Sequence, residues 1–261
     1  MYRNLLKKII CMEIDVKAEK QKIVEFLKKT FKDQGIEKAV IGLSGGIDSM
    51  TSFFLLKEVL EPQKIFVSHL YYFDSLHSEI ENVLKLAKIP QENIRHLSIK
   101  EPVDAAVKLQ SAENDKTRIG NIAARMRMII LFDLAKKENA LVCGTENKTE
   151  NLLGYFTRFG DQASDIEPIA HLYKTQVLKL AKYLGVPNEF ISQSPTAGLW
   201  HGQTDEGEFG FTYEEADQVL YLNLEKGKST EELKSQGFSN AEKILEWHKK
   251  NLFKHQTPYH L

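Results

Sequence analysis

Short runs of β-branched and aliphatic residues alternate with longer amphipathic segments, and this alternation constrains the fold more than any other feature. The residue pattern predicts buried strands at 39–43, 64–70, 94–99 and 140–144. Apolar residues at helical spacing predict helices at 14–31, 49–60, 79–88, 121–138, 174–184, 213–224 and 240–252. Strands that are separated by helices need crossover connections. We therefore expect an α/β fold, a doubly wound parallel sheet with helices on both faces.

The overall charge excludes one class of function. The chain of 261 residues carries 35 basic and 36 acidic side chains, so its formal net charge is -1. A protein that binds nucleic acid through bulk charge would have a strong basic excess, so no nucleic-acid partner is expected. No run approaches the roughly 18 consecutive apolar residues of a membrane span, so no membrane partner is expected either.

The two cysteines, Cys11 and Cys143, lie far apart in the sequence. Because they form no CxxC pair, a zinc knuckle or a dithiol redox site is not expected. So few cysteines favour a reducing compartment, and we expect a cytoplasmic protein. Residues 1–261 are expected to form a single domain. Helical patterning starts after Met12, so residues 1–12 are interpreted as an extension that the domain does not need.

The clearest candidate site is the segment Gly42-Leu43-Ser44-Gly45-Gly46-Ile47-Asp48-Ser49, which follows a predicted strand and opens a predicted helix. Its glycines allow a tight turn, and the amides of the turn and of the helix start favour an anion such as phosphate. No lysine follows the glycines, so the segment is not a Walker A loop. An aspartate within a phosphate cradle is unfavourable without a cation, so Asp48 indicates bound Mg²⁺. The alternative is a glycine-rich turn without a ligand.

Two further segments carry polar residues at positions that suit a ligand. Arg125 and Arg127 lie two residues apart on a predicted helix, so one could face a ligand while the other faces a partner or solvent. Thr145 and Glu150 follow the fourth predicted strand, at the end where parallel strands face a ligand crevice, and Glu150 could reach the metal. The alternatives are two solvated arginines and a helix-capping threonine beside solvated acids.

Residues 154–169 combine aromatic side chains with Arg158, Asp161 and Asp165, and Lys174 follows at a predicted helix start. The aromatic residues could equally belong to the core, and Asp161 could merely begin a turn after a glycine. Residues 193–211 show no apolar period. They predict a loop longer than usual connections, which is either a functional lid or disordered.

The phosphate loop at 42–49 resembles the pyrophosphatase loop of the ATP pyrophosphatase superfamily, whose members adenylate a carboxylate or carbonyl oxygen. Together with the segments around Arg125, Thr145 and Asp161, in this order, it closely resembles the NAD synthetases. Residues 195–200, 203–206 and 209–213 look like the mobile substrate loop of that family, and residues 251–254 resemble its C-terminal lysine motif. The resemblance covers nearly all of the chain. It departs at Gln193, where the family usually has a lysine, and at 71–75, where the family usually has a proline-containing loop.

The resemblance implies an adenine nucleotide α-hydrolase-like fold of the ATP pyrophosphatase type and a ligase that amidates deamido-NAD with ammonia, using ATP. The nicotinate carboxylate would first be adenylated with release of pyrophosphate, and ammonia would then displace AMP to give NAD. Free ammonia is expected rather than glutamine, because the motifs begin by residue 42 and leave no room for an amidase domain. Family members are homodimers with deamido-NAD bound across the interface. A homodimer is therefore expected, with the helix of Arg125 as the candidate interface.

The same resemblance assigns roles to individual residues. Asp161 and Lys174 are the expected catalytic residues, with Asp161 taking a proton from ammonium, and Mg²⁺ is expected on Asp48 and Glu150. The expected ATP contacts are Gly42, Leu43, Ser44, Gly45, Gly46, Ile47, Asp48, Ser49, Thr145, Lys174 and Thr196. The expected deamido-NAD contacts are Arg125, Arg158, Asp165 and Lys254.

Other functions are compatible with the phosphate loop alone. Another adenylating synthetase, such as a GMP synthetase, is disfavoured by the C-terminal half, and tRNA thiolation by the lack of paired cysteines. A nucleotide-binding module without turnover would not need Asp48, Glu150, Asp161 and Lys174 together. Residues 193–211 are expected to be mobile without substrate and to close over it, with Trp200 and Phe209 supplying apolar contacts in the closed state.

Overall fold

Four short strands form one parallel sheet in the computed structural model, which describes residues 12–73, 77–196, 202–256 and 258–259. The strands are β1 (Ala39–Gly42), β2 (Ile65–Tyr71), β3 (Ile94–Ser98) and β4 (Leu141–Cys143). Their order across the sheet is β3-β2-β1-β4, and Ala39 pairs with Ile65 on one side and with Leu141 on the other. The chain thus starts at an inner strand, moves outward to β3 and returns across the sheet to β4. This path creates a topological switch point between β1 and β4.

Helices connect the strands and cover the sheet. They are α1 (Val16–Gln34), α2 (Ile47–Leu56), α3 (His77–Leu86), α4 (Lys100–Leu109), α5 (Lys116–Glu138), α6 (Lys148–Leu153), α7 (Lys174–Leu184), α8 (Asn188–Ile191), α9 (Asp205–Phe209), α10 (Tyr213–Leu220), α11 (Thr230–Ser235) and α12 (Ala241–Asn251). A π-helical turn follows α10 at Tyr221–Glu225, and 3₁₀ turns occur at Pro62–Lys64, Gln91–Asn93 and Leu252–Lys254. Among the helices that the structure describes, none is long and apolar enough to cross a membrane.

Successive residues of the inner strands point to opposite faces of the sheet, and helices cover both faces. Ile41 of β1 belongs to a core cluster with Phe53 of α2 and Leu180 of α7. Its neighbour Val40 belongs to a different cluster, which includes Leu134 of α5. All of these side chains are almost completely buried, and burial of apolar surface is the main stabilising contribution in a fold of this kind. The prediction of a parallel sheet with helices on both faces is confirmed.

A separate hydrophobic cluster lies among the C-terminal helices. It includes Phe209 of α9, Val219 of α10, Leu233 of α11 and Ile244 of α12, which are all buried. Leu153 of α6 belongs to the same cluster. The C-terminal helices are therefore packed against the segment that follows β4.

Several predicted boundaries are wrong by a few residues. The helix predicted at 121–138 begins at Lys116, because the carboxylate of Asp115 accepts a hydrogen bond from the N–H of Arg118 at 3.0 Å and caps the helix. The helix predicted at 49–60 spans Ile47–Leu56, and the helix predicted at 213–224 is an α-helix only as far as Leu220. The helices α6, α8, α9 and α11, of four to six residues, were not predicted, because they are shorter than the segments in which apolar periodicity can be recognised. The ten-residue helix α4 was not predicted either.

The expectation of a loop throughout 193–211 is wrong at its C-terminal end, where α9 forms. Phe209 of this helix is 1 % exposed, and its ring packs edge-on against the rings of Tyr155 and Trp247. It is a core residue in this structure, and its contact with substrate in a closed state stays a prediction. Trp200 lies outside the described residues, as do residues 1–11 of the predicted extension. The mobility of the loop and the dispensability of the extension stay predictions.

Candidate active site

A cavity of about 1140 Å³ lies at the carboxyl ends of β1, β2 and β4 and is lined in part by residues of α5, α9 and α12. This is the end of an open α/β sheet where ligands bind, beside the switch point between β1 and β4. Its volume is large enough for a nucleotide together with a second substrate.

The turn between β1 and α2 forms one wall of the cavity. Gly45 has a φ of 84°, a left-handed conformation that favours glycine. Gly46 occupies the N-cap of α2 and has no side chain, so no cap side chain competes with an anion for the first amides of the helix. The hydroxyl of Ser49 donates to the carbonyl of Gly46 at 2.9 Å and lies 3.2 Å from the hydroxyl of Ser44. Of the residues predicted to bind ATP in this turn, all except Gly45 line the cavity.

Lys174 brings together the two carboxylates that were predicted to hold a metal. Its Nζ atom lies 2.5 Å from Oδ2 of Asp48 and 2.9 Å from Oε1 of Glu150. Each group comes from a different helix: Asp48 from the first turn of α2, Glu150 from α6, and Lys174 from the start of α7. The side-chain amide of Asn147 donates to Oδ1 of Asp48 at 3.0 Å and orients that carboxylate.

Burial and charge act in opposite directions on this cluster. Burial alone would lower the pKa of Lys174, but the carboxylates of Asp48 and Glu150 outweigh it and raise that pKa above its ordinary value. Burial raises the pKa of Glu150 above its ordinary value, although the ammonium of Lys174 opposes the rise. Lys174 therefore stays cationic at neutral pH, which suits it to bind phosphate oxygens.

The same two carboxylates fit a magnesium ion that is bound together with a nucleotide. Both converge on one cationic atom, Nζ of Lys174, so the arrangement accommodates positive charge next to the phosphate loop. Proteins commonly hold Mg²⁺ by one or two carboxylates plus phosphate oxygens and water. Among the described residues, no group of three or more His, Cys, Asp or Glu side chains could hold a metal. Phosphate oxygens and water would therefore have to complete the coordination shell around Asp48 and Glu150.

Asp161 lines the same cavity. Its Oδ1 atom accepts a hydrogen bond from the backbone N–H of Thr157 at 2.9 Å. Desolvation by the protein around the cavity raises the pKa of the Asp161 carboxyl above its ordinary value, although the hydrogen bond from Thr157 and the charge of Arg127 oppose the rise. A carboxylate with a raised pKa is a stronger base, which suits the predicted role of proton acceptor.

The two arginines of α5 face different surroundings. Arg127 lines the cavity, and its Nε atom donates to the backbone carbonyl of Leu70 at 2.9 Å. Arg125, which was predicted to contact deamido-NAD, is exposed and does not line the cavity of its own chain. The spacing predicted that the two side chains diverge. It did not predict which of them faces the cavity, because that depends on how α5 is rotated against the sheet.

Lys254, Thr145 and Thr196 also line the cavity, as expected for ligand contacts. The Nζ atom of Lys254 donates to the backbone carbonyls of Gly154 at 2.6 Å and Phe156 at 3.0 Å. Burial lowers the pKa of this lysine below its ordinary value. The C-terminal segment is thus fixed against the loop that precedes Asp161 in the chain.

Besides Arg125, two further predicted deamido-NAD contacts do not line the cavity. The guanidinium of Arg158 lies over the ring of Phe253, at 5.2 Å from the ring centroid. The carboxylate of Asp165 accepts a hydrogen bond from the backbone N–H of Val142 at 2.7 Å and thereby supports β4. Their roles as deamido-NAD contacts stay predictions.

The sequence did not predict the largely buried carboxyl pair of Glu146 and Glu167 beside the cavity wall. The backbone N–H of Glu146 donates to Oε2 of Glu167 at 3.1 Å, and the hydroxyl of Ser164 donates to Oε1 of Glu167 at 2.7 Å. Burial and the repulsion from Glu167 raise the pKa of Glu146 to about 9, and burial raises the pKa of Glu167 to about 7. Glutamates in polar loops carry no signal of such burial in the sequence.

Comparison with known proteins places the chain in a family. A family model described as NAD synthase matches residues 19–258. The NH(3)-dependent NAD(+) synthetase of Fusobacterium nucleatum is 44% identical over 228 residues, which are 87% of this chain and 88% of that protein. The NH(3)-dependent NAD(+) synthetase of Thermoplasma volcanium is 40% identical over 247 residues, which are 95% of this chain and 98% of that protein.

Solved structures agree with these relatives. The NMN synthetase from Francisella tularensis has a TM-score of 0.79 at 34% identity, covering 95% of this chain and 99% of that one. The NH3-dependent NAD synthetase from Campylobacter jejuni, solved in complex with the nitrate ion, has a TM-score of 0.77 at 31% identity, covering 95% of this chain and 100% of that one. These neighbours have the adenine nucleotide α-hydrolase-like fold. The chain therefore belongs to the NAD synthase family of ligases.

Proposed function

We propose that the protein amidates deamido-NAD with ammonia, using ATP, and forms NAD, AMP and pyrophosphate. The observation that carries this proposal is the cluster of Asp48, Glu150 and Lys174 beside the phosphate loop, in a cavity that also contains Asp161. A module that only binds a nucleotide would not need a lysine held by two largely buried carboxylates and a separate carboxyl with a raised pKa. Membership of the NAD synthase family supports the same reaction.

In the first step, an oxygen of the nicotinate carboxylate attacks the α-phosphorus of ATP, the bond to the oxygen that bridges the α- and β-phosphates breaks, and pyrophosphate leaves. The amides at the start of α2 and the hydroxyls of Ser44 and Ser49 bind the phosphates. The ammonium of Lys174 offsets the negative charge that develops on the departing pyrophosphate. Mg²⁺ held by Asp48 and Glu150 would neutralise further phosphate charge.

In the second step, ammonia attacks the carbonyl carbon of the acyl-adenylate, and the bond from that carbon to the oxygen of AMP breaks. The attacking nitrogen gives up one proton to the departing AMP or to water, and the amide of NAD forms. Most ammonia is protonated at neutral pH and must lose a proton before its nitrogen can attack. We assign this proton to the carboxylate of Asp161, whose raised pKa brings its basicity closer to the operating pH.

Ammonia is the proposed nitrogen source because relatives named NH(3)-dependent NAD(+) synthetases match the chain over most of their length. Glutamine hydrolysis usually needs a reactive thiolate. Cys143, the one cysteine in the part of the chain that the structure describes, is buried. Burial raises the pKa of its thiol well above the ordinary value, which makes it a poor nucleophile at neutral pH. We place the reaction in the cytoplasm, where a free thiol stays reduced.

A homodimer is part of the proposal. Arg125 is exposed on α5, and Ile129, one turn further along, is 54% exposed. Residues four apart share one face of a helix, so an arginine and an apolar side chain lie together on this surface. Such a surface suits contact with a second copy of the chain, in which Arg125 would reach the deamido-NAD of its partner.

A second candidate is the amidation of nicotinate mononucleotide to NMN. The observation that favours it is the TM-score of 0.79 with the protein named NMN synthetase, close to the 0.77 with an NH3-dependent NAD synthetase. Both substrates present the same nicotinate carboxylate and differ in the adenylyl half.

One assay separates these functions. The purified protein is incubated with ATP, Mg²⁺ and either ammonium or glutamine, in the presence of deamido-NAD or nicotinate mononucleotide, and products are quantified by chromatography. We expect NAD from deamido-NAD and ammonium, with one AMP formed for each NAD. Faster turnover of nicotinate mononucleotide would favour the second candidate. ATP binding without cleavage in any mixture would indicate a module without turnover.

A further inference from the structure

A carboxylate from a distant helix binds the N-terminus of α7, where Lys174 lies. Oδ2 of Asp217 in α10 accepts hydrogen bonds from the backbone N–H of Thr175 at 2.8 Å and from the hydroxyl of Thr175 at 2.7 Å. Helix N-termini favour such an acceptor, because their first amides have no partner within the helix and carry partial positive charge. Asp217 therefore connects α10 to the helix that begins with the catalytic lysine.

The other oxygen of Asp217 reaches α6. The hydroxyl of Thr149 donates to Oδ1 of Asp217 at 2.5 Å, and the same hydroxyl oxygen accepts a hydrogen bond from the backbone N–H of Lys174 at 2.9 Å. Thr149 directly precedes Glu150 in α6. One carboxylate thus joins the backbone segments that carry Lys174 and Glu150.

Asp217 and Thr149 are completely buried. Both oxygens of Asp217 accept hydrogen bonds, which is the pattern of an ionised carboxylate, although burial raises the pKa of this group above its ordinary value. An ionised carboxylate in the interior is often less favourable for folding than a well-packed apolar residue of similar volume. Stability alone therefore does not account for an acid at this position, whereas the fixing of two helix starts relative to each other does.

We propose that Asp217 is a positioning residue of the phosphate site, which holds Lys174 and Glu150 at the separation that the phosphates of ATP require. Asp217 does not line the cavity, so it acts through Thr149 and Thr175 and not by contact with substrate. The inference rests on the proposed function, because that function assigns the ATP chemistry to Lys174 and Glu150. A displacement of about 1 Å in a reacting site can lower a rate roughly 100-fold, so the loss of this link is expected to impair catalysis.

Three substitutions and one control test this role. Asp217→Asn keeps the size of the side chain but replaces one acceptor oxygen by a donor. Thr149→Val removes the linking hydroxyl at nearly constant volume, and Thr149→Ser retains it. The control is Glu215→Gln on the same helix, because the carboxylate of Glu215 also binds the start of a distant helix. It accepts hydrogen bonds from the backbone N–H of Asn240 at 2.9 Å and from the side-chain amide of Asn240 at 2.7 Å. Among the described residues, Glu215 makes no hydrogen bond to α6 or α7.

For each variant, kcat and both KM values are measured in the NAD-forming assay, and the affinity for ATP with Mg²⁺ is measured by calorimetry without the second substrate. We expect Asp217→Asn and Thr149→Val to lower kcat about 10- to 100-fold and to weaken ATP binding, with the KM for deamido-NAD unchanged. Thr149→Ser should restore both properties, and Glu215→Gln should match the wild type. A merely structural role would reduce the fraction of active protein, which lowers kcat but leaves both KM values and the calorimetric affinity unchanged.

Wild-type kcat and ATP affinity in folded Asp217→Asn would overturn the proposal, as would equal losses in Thr149→Ser and Thr149→Val. If Asp217→Asn does not fold, the two Thr149 variants decide the question. If the wild type binds ATP but forms no NAD, the proposed function fails. The comparison of ATP affinities still tests the role of Asp217 in that case.

Discussion

The Nζ atom of Lys174 lies 2.5 Å from Oδ2 of Asp48, although 126 positions separate the two residues in the sequence. The contact joins the first residue of α7 to the first turn of α2, and Glu150 of α6 completes the cluster. It depends on the packing of α7 and α2 on the same face of the sheet, where Phe53 and Leu180 belong to one core cluster. The chemistry of the site is therefore assembled by the fold.

Removal of the charge of Lys174 should impair catalysis and also lower stability, because Asp48 and Glu150 lose the cation that compensates their charge. Lys174→Met keeps most of the apolar stem, and we expect kcat for NAD formation to fall about 100- to 1000-fold, because the charge on the departing pyrophosphate is no longer offset. The control is Lys182→Met, at an exposed position on the same helix. Steady-state kinetics of both variants check the prediction, and wild-type kcat in Lys174→Met would remove this residue from the mechanism.

Replacement of Asp161 should separate the two steps. In Asp161→Asn, adenylation should still occur, so about one pyrophosphate per active site is released in an initial burst, while NAD formation falls about 100-fold or more for lack of a proton acceptor. Because free ammonia increases with pH, NAD formation by this variant should recover as the pH is raised. Parallel measurement of pyrophosphate and NAD checks this, with exposed Asp133→Asn on α5 as the control. Loss of the pyrophosphate burst together with NAD formation would assign Asp161 to the first step or to substrate binding.

Glu146 should make the protein less stable as the pH rises. Its pKa is raised from 4.5 to about 9 in the folded state, so the folded chain keeps a proton that the unfolded chain releases above its own pKa. Stability is therefore lost as the pH increases between these two values. Glu146→Gln cannot ionise, and its free energy of unfolding should exceed that of the wild type by about 1 kcal/mol or more near pH 8.

Urea denaturation at two pH values, one near pH 6 and one near pH 8.5, measures this effect. The exposed Glu81→Gln in α3 is the control and should retain the pH dependence of the wild type. Identical pH dependence of Glu146→Gln and the wild type would show that Glu146 is ionised in the folded protein.

The exposed face of α5 should carry the contact between subunits. A charge at the 54% exposed Ile129 would be buried without a partner in a dimer, so Ile129→Asp should shift the protein towards the monomer. Exposed Lys182→Asp on α7 is the control for the added charge. Light scattering after gel filtration gives the mass of each variant. A wild-type dimer that Ile129→Asp leaves intact would place the interface elsewhere, and Arg125 would lose its proposed contact with the partner's substrate.

The sheet and its two helical layers were predictable because successive residues of a strand are apolar although they point to opposite faces of the sheet. Val40 and Ile41 face different helices, and only a strand buried on both sides requires such a continuous apolar run. The short helix α9 was not predictable in the same way. It forms where Phe209 enters a cluster with Tyr155 and Trp247, which are distant in sequence, so tertiary packing decides its structure.

Site residues that stand in a recognisable local sequence pattern were predictable. Those whose place depends on tertiary packing were not. Asp48 and Glu150 stand in segments whose residue order resembles a known family, and the structure places both in one cavity wall. The orientation of Arg127 depends on the rotation of α5, which its spacing from Arg125 does not define. The link from Asp217 to Thr149 spans 68 positions and has no counterpart in any local pattern.

The central claim, that the nicotinate carboxylate is adenylated, is tested most directly with deamido-NAD carrying ¹⁸O in that carboxylate. The labelled substrate is turned over with ATP, Mg²⁺ and ammonium, and the masses of AMP and pyrophosphate are determined. Because a carboxylate oxygen attacks the α-phosphorus and leaves with AMP, we predict one ¹⁸O atom in each AMP and none in pyrophosphate. Unlabelled AMP, or formation of ADP and labelled inorganic phosphate, would contradict the account.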